Sequence, residues 1–164
     1  MNNETIYIGI DNGLAGAITV LKGKEILECI PMPVMSAGSG KNEYDSHAIH
    51  EFLMKYKDAT VLIEKAHYTP AMGGVAVFSF AKNYGIMLGL LIALKMRYNI
   101  IHSKTWQAML FRDEPHENTK EASKIVASRL FPTHVFKATA KSKNVHDGMT
   151  DATLIAVYGQ RVNL

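Results

Sequence analysis

The run Ile6-Tyr7-Ile8-Gly9-Ile10 is built of isoleucine, tyrosine and one glycine, with no charged residue among them. β-Branched and aromatic side chains without alternation predict a strand buried on both faces, at the centre of a sheet. Asp11 follows at once, and Asn12-Gly13 after it is a turn signal. A carboxylate ending a central strand is costly to desolvate, so a cation, a metal or open solvent has to compensate it. The plainer reading is a turn-favouring Asp beside Asn-Gly.

Thr60-Val61-Leu62-Ile63-Glu64 repeats the pattern, a short apolar run closed by an acid. Glu is not a turn former, so turn preference does not account for Glu64. If this strand pairs in parallel with the first, Asp11 and Glu64 become neighbours at one sheet edge. Two such carboxylates raise each other's pKa unless a divalent cation holds them. A third acidic site lies in His146-Asp147-Gly148-Met149-Thr150-Asp151, at the head of the last helical stretch. Asp147 and Asp151 are four apart and share a helix face, with Cβ atoms about 5–6 Å apart. Capping and the positive end of the helix dipole explain acids at such a start. Asp151 is deeper, on a helix whose Ala152, Leu154 and Ile155 pack on the sheet. Acids there have no local cation and need a shared one.

The remaining elements fill in an α/β order. Ala15 to Leu21 and Glu25 to Ile30 read as strands joined by a Lys22-Gly23-Lys24 hairpin, making an antiparallel meander with the first strand. Small residues follow Asp11 (Gly13, Ala15, Gly16, Ala17) and admit a backbone or a ligand close to the carboxylate. From Pro31 to Asn42 the chain reads as a loop. Its Gly38-Ser39-Gly40-Lys41 is not a phosphate-binding loop, since Met35 and Asn42 stand where Gly and Ser or Thr are needed. Asp45 or Ser46 caps a helix to about Tyr56, with Ile49, Phe52 and Leu53 inward and His47 and His50 solvated. Lys65 to Gly74 is a loop, Val75 to Arg97 a long apolar helix with more than one face to bury, and Asn99 to His102 a strand. Ser103 caps a helix through Trp106 to Phe111, Thr119 to Phe131 is amphipathic, and Thr133 to Val145 is a basic, irregular loop.

At 164 residues, 48% hydrophobic and 20% charged, residues 1–164 are expected to form one globular domain. The net charge of +3 is mild, but Lys and Arg outnumber acids between Lys95 and Lys143, which suits a polyanionic partner. Cys29 is the single cysteine, so a thiolate metal cage is excluded and core filling is its expected role. No signal peptide is legible at the N-terminus, and the apolar run Ile86 to Leu94 is about half a membrane span. The expectation is a soluble cytoplasmic protein with no membrane partner.

Asp11, Glu64 and the pair Asp147/Asp151 fit one chemistry. An oxygen-only donor set suits Mg²⁺ or Mn²⁺. Two such ions about 3.5–4 Å apart serve the attacking and leaving oxygens of an in-line phosphoryl displacement.

The segments IGIDNGLAGAI (Ile8 to Ile18), VLIEKAH (Val61 to His67), YGIMLGLL (Tyr84 to Leu91), TKEASKIVASRLFP (Thr119 to Pro132) and HDGMTDATLIA (His146 to Ala156) resemble the RuvC-type Holliday junction resolvases, particularly their short phage-like members. The resemblance covers nearly the whole chain. It implies a ribonuclease H-like mixed sheet of five strands, the first three antiparallel, flanked by helices. It also implies a homodimer, found in a bacterial or phage-infected cell, that nicks opposed strands of a four-way DNA junction and leaves 5′-phosphate ends. By resemblance Asp11, Glu64, Asp147 and Asp151 are catalytic and hold Mg²⁺, two ions per site, with Mn²⁺ as a substitute. The bacterial members space the last two acids by three residues, which would fall on Gly148, so His146 is an alternate ligand to Asp147. Lys65, His67 and Tyr68 after Glu64 are the expected DNA contacts, an aromatic there wedging into the junction centre. Lys104, Lys120, Lys137, Lys141 and Lys143 of the basic half join them. Other readings are a nuclease of this fold acting on flap or other branched DNA, and a junction-binding protein without chemistry. An actin-like ATPase needs two such domains, so no nucleotide cofactor is expected.

Overall fold

The computed structural model of the chain describes residues 5–38, 40–66 and 71–164. Five strands form the main sheet: β1 (Ile6–Asp11), β2 (Ala17–Lys22), β3 (Glu25–Pro31), β6 (Thr60–Glu64) and β7 (Arg97–Ile101), in the order β3-β2-β1-β6-β7. The unalternating run of β1 takes the central place. β2 pairs antiparallel with β1, and β3 antiparallel with β2 across a register shift between Val20 and Leu21. β6 runs parallel to β1 with Ile10 opposite Ile63, so the next residues, Asp11 and Glu64, leave the sheet side by side.

Both faces of the sheet are covered. One carries α1 (Ser46–Met54) and α2 (Gly74–Ala93), which close a core around Ile8, Ile10, Val61 and Ile63. The other carries α3 (Ser103–Leu110), α4 (Thr119–Leu130) and α5 (Asp147–Val162) over Tyr7, Leu21 and Leu62. α5 lies directly on β1 and β2. Gly9 makes that possible: a Cβ there would stand 2.0 Å from the Ala152 carbonyl oxygen and 2.6 Å from the Ala156 nitrogen. At the head of α5, a Cβ on Gly148 would meet the Ala15 carbonyl oxygen at 2.7 Å and Gly16 at 2.8 Å. The small residues after Asp11 thus admit the backbone of the final helix.

Several boundaries depart from the sequence reading. The stretch read as a loop up to Asn42 is interrupted by a two-stranded ribbon, β4 (Val34–Ser36) and β5 (Asn42–Tyr44). Val34 and Met35 are exposed, so hydrophobic patterning could not reveal it; Tyr44 is its one buried residue. α2 stops at Ala93 rather than Arg97. Lys95 takes φ 53°, while its N–H bonds the Ile92 carbonyl and that of Met96 the Leu91 carbonyl. This is a Schellman ending with Lys where Gly is usual, and it frees Arg97 and Tyr98 to begin β7. Within the single chain α2 fully buries Asn83, Met87 and Leu91, with Tyr84 and Leu88 among the residues partly buried beside them. Asp45, one of the two caps expected for α1, accepts from the Ala48 N–H; Asn118 caps α4 by accepting from the Glu121 N–H; and His102, not Ser103, precedes α3.

Candidate active site

β1 and β6 deliver Asp11 and Glu64 to the same end of the sheet, and α5 begins over that end with Asp147 and Asp151 one turn apart. The pairing of the two acid-ended strands, conditional on the sequence alone, is parallel, and the four acids come together electrostatically. Burial, then the charges of Asp151, Glu64 and Asp147 in that order, pushes the Asp11 carboxyl up to about 8. Burial also raises Asp151, to about 6, with Glu64 and Asp147 adding to it and the Ser123 hydroxyl and Lys120 working against it.

Three of the four acids have partners of their own. Trp106 Nε1 donates to Glu64 Oε2 at 3.0 Å. The Ser123 hydroxyl donates to Asp151 Oδ1. Lys124 Nζ lies 2.9 Å from Asp147 Oδ1 and Lys120 Nζ 3.4 Å from Oδ2. Partial burial works upward on Asp147, yet Lys124 and then Lys120 hold its carboxyl below the usual carboxylate range. This corrects the expectation that the acids of the last helix lack a local cation. α4 supplies two, by placing Lys120, Ser123 and Lys124 on the face it turns to α5. Asp11 alone has neither an ion pair nor a side-chain hydrogen bond among the described residues.

The capping reading of Asp147 is also corrected. His146 is the N-cap of α5, its Nδ1 accepting from the Met149 N–H at 3.3 Å, and Asp147 is the first helical residue. An acid at 148, the three-residue spacing, is blocked by the contact of Gly148 with Ala15 and Gly16.

The donor set fits a hard divalent cation, being oxygen throughout and centred on a buried carboxylate whose pKa is raised by the charges of Asp151, Glu64 and Asp147. As the side chains stand, no three His, Cys, Asp or Glu among the described residues are grouped so as to hold a metal ion. Asp147, Asp151 and Glu64 are instead engaged by lysine, serine and tryptophan.

No family model and no curated protein sequence matches the chain. Solved structures do. RuvC of Thermus thermophilus, in complex with a Holliday junction substrate, aligns with a TM-score of 0.61 at 12% identity over 96% of both chains. The yeast mitochondrial Holliday junction resolvase Ydc2 aligns at 0.63 and 14% identity, over 97% of this chain and 78% of its own. Fowlpox virus resolvase, with substrate Holliday junction DNA, aligns at 0.50 and 9% identity over 95% and 99%. The chain has the RuvC fold.

On that RuvC fold the expected DNA contacts fall on several separate elements. Lys65 directly follows β6 and is exposed, as are Lys104 on α3 and Lys137, Lys141 and Lys143 in the irregular segment before α5. Lys120 is exposed too, but paired with Asp147. His67 and Tyr68 lie outside the described residues. His47 and His50 are exposed on α1, as expected. Sequence reasoning missed Trp106, Ser123, Lys124 and Tyr44 as partners of the site. One signal was available: Lys120 and Lys124 are four apart on a predicted helix, and Ser123 shares their face. For Trp106 the signal was chemical, because a buried indole N–H needs an acceptor.

Proposed function

We propose that the chain is a metal-dependent, structure-selective DNA endonuclease that resolves four-way junctions by paired symmetric nicks. The observation that carries this is the acid cluster: Asp11 is buried against three other carboxylates, with no ion pair of its own among the described residues, on a fold shared with junction resolvases. Asp11, Glu64, Asp147 and Asp151 would hold two Mg²⁺ ions, with Mn²⁺ as a substitute and His146 as an alternate to Asp147. Bound there, the ions would polarise the scissile phosphate and lower the pKa of the attacking water, giving 5′-phosphate and 3′-hydroxyl ends. The chain's own groups prepare the site. Trp106 fixes one oxygen of Glu64, Ser123 orients Asp151, and Lys120 and Lys124 offer positive charge to an incoming strand. Lys65, Lys104, Lys137, Lys141 and Lys143 would contact phosphates, and His67 and Tyr68 the junction centre. Two coordinated nicks require a homodimer, and a DNA substrate goes with a cytoplasmic protein.

Two other readings remain. A nuclease of this fold that prefers flap or other branched DNA would use the same site. A junction-binding protein without chemistry is favoured by one observation, that three of the four acids are engaged by other side chains. Incubation with Mg²⁺ and synthetic four-way junction, flap and linear duplex, side by side, separates all three. Symmetric nicks confined to the junction are expected; preferred flap cleavage supports the second reading, and tight binding without cleavage the third.

A further inference from the structure

We propose that Tyr44 is a positioning residue for Asp11, its hydroxyl holding the Asn12-Gly13 turn that fixes where the carboxylate stands. The inference rests on reading Asp11 as a metal ligand. Glu64, Asp151 and Asp147 each have a side-chain donor, whereas Asp11 has none among the described residues. What restrains it is the backbone on either side: the pairing of β1 behind and the turn ahead. That turn is gripped from outside. The Gly13 N–H donates to the Tyr44 hydroxyl oxygen at 2.9 Å, and the Tyr44 O–H donates to Asn12 Oδ1 at 2.9 Å.

The direction of these bonds is fixed by counting protons. A phenol that accepts from Gly13 has one proton left to give, and only the carbonyl end of the Asn12 amide can take it. The other end, Nδ2, is buried with no partner among the described residues. A turn selected for stability alone would not keep a buried donor unsatisfied, since such groups are costly and rare. The ribbon tells the same story. β4 and β5 are three residues each and mostly exposed, and their one buried side chain is the one that reaches this turn. The ribbon also meets α2 through the Lys82–Glu43 ion pair, which is solvent-exposed and of the kind that contributes little to holding a position. It acts as a strut whose working end is a single hydroxyl. The Asp11 charge is close enough to add to the effect of burial in raising the Tyr44 phenol.

The test is Mn²⁺ binding to the DNA-free protein, followed by electron paramagnetic resonance, in wild type, Tyr44→Phe, Asp11→Asn and Glu43→Gln. Tyr44→Phe keeps the ring and removes the hydroxyl. It is expected to weaken Mn²⁺ binding about 10- to 100-fold, with unchanged circular dichroism and unchanged metal-free junction binding. Its cleavage recovers as Mn²⁺ is raised, whereas that of Asp11→Asn does not. Glu43→Gln, one residue away on the ribbon, is expected to bind Mn²⁺ as wild type does. If Tyr44→Phe fails to fold, Asn12→Ala removes the acceptor of the same bond and carries the same expectation. Wild-type Mn²⁺ affinity in the folded variant overturns the proposal, as does an equal loss in Glu43→Gln. If wild type and Asp11→Asn bind Mn²⁺ alike, the reading of Asp11 itself has failed, and the proposal with it.

Discussion

Trp106 gives its only polar hydrogen to Glu64: the indole is fully buried and Nε1 lies 3.0 Å from Oε2. One oxygen of Glu64 is thereby committed and the other left for a ligand. Trp106→Phe keeps most of the apolar volume and strands that oxygen. Cleavage by this variant is expected to require roughly 10- to 100-fold more Mg²⁺ for half-maximal rate. A Mg²⁺ titration of the cleavage rate checks it, and an unchanged midpoint counts against any role for the indole beyond packing.

Replacing the acids separates chemistry from binding. Asp11→Asn, Glu64→Gln and Asp151→Asn are each expected to abolish cleavage while sparing junction affinity, because lysine and arginine contacts with phosphate dominate binding. Asp147→Asn is expected to be severe as well, and to leave junction affinity the same or tighter, since it releases Lys120 and Lys124. Gel-shift and single-turnover assays on the same preparations measure both. Near-normal turnover in Asp151→Asn would remove the cluster from the mechanism. His146→Ala proving worse than Asp147→Asn would make the histidine the ligand.

Stability should fall as pH rises in the absence of metal. The Asp11 carboxyl goes from 3.8 to about 8 on folding, so between about pH 4 and about pH 8 the folded state holds a proton the unfolded state has lost. Stability declines through that window and levels off above it. Asp151, raised to about 6, adds to the decline in its lower part, while Asp147, held low by its lysines, has the opposite sign at acid pH. Melting in EDTA is expected to be lower at about pH 8.5 than at about pH 6 by several degrees, at about 2–4 °C per kcal/mol for a chain this size. Asp11→Asn should flatten most of that slope, and Mg²⁺ should raise the melting temperature more at the higher pH. A slope that survives in Asp11→Asn would have another origin.

α2 leaves an apolar stripe uncovered. Phe78 is 72% exposed and Ile92 61%, and among the described residues nothing lies within 4 Å of a Cβ on Gly85 or Gly89 between them. By length and composition the helix could also cross a membrane, but Met87 and Leu91 pack it on the sheet. A two-fold dimer through this stripe is expected. Sedimentation should give a dimer at micromolar concentration and a monomer for Ile92→Glu, which should also lose paired nicking. A wild-type monomer that still cuts both strands excludes this assembly.

The parts of the fold legible in the sequence were those where one physical effect dominated. The uniform run Ile6 to Ile10 and its echo at Thr60 to Ile63 specified two buried strands, each closed by an acid; the parallel pairing that makes Asp11 and Glu64 adjacent was only a condition until the register was known. Where effects compete, the residues were silent. Nothing in Leu90 to Arg97 marks the end of a helix, because Lys95 adopts the left-handed turn that Gly ordinarily signals. The β4–β5 ribbon lacks an alternating pattern since almost none of it is buried. Tyr44 reads as one more aromatic until its neighbours 31 and 32 residues upstream are in view.

Gly9 and Gly148 bring main chain against main chain at the middle and the head of α5. A helix seated that way cannot slide or roll without collision, so the span of the acid cluster is a property of the backbone. Any adjustment between resting and working states falls to rotations of side chains and to α4, which meets α5 through Ser123, Lys120 and Lys124. The same seating makes the acid spacing resistant to stepwise change. A carboxylate moved to position 148 has no room, and a residue inserted before Asp151 would turn every later contact of the helix by about 100°. Loops around such a site are free to diverge, but its four-residue interval can change only together with the sheet beneath it.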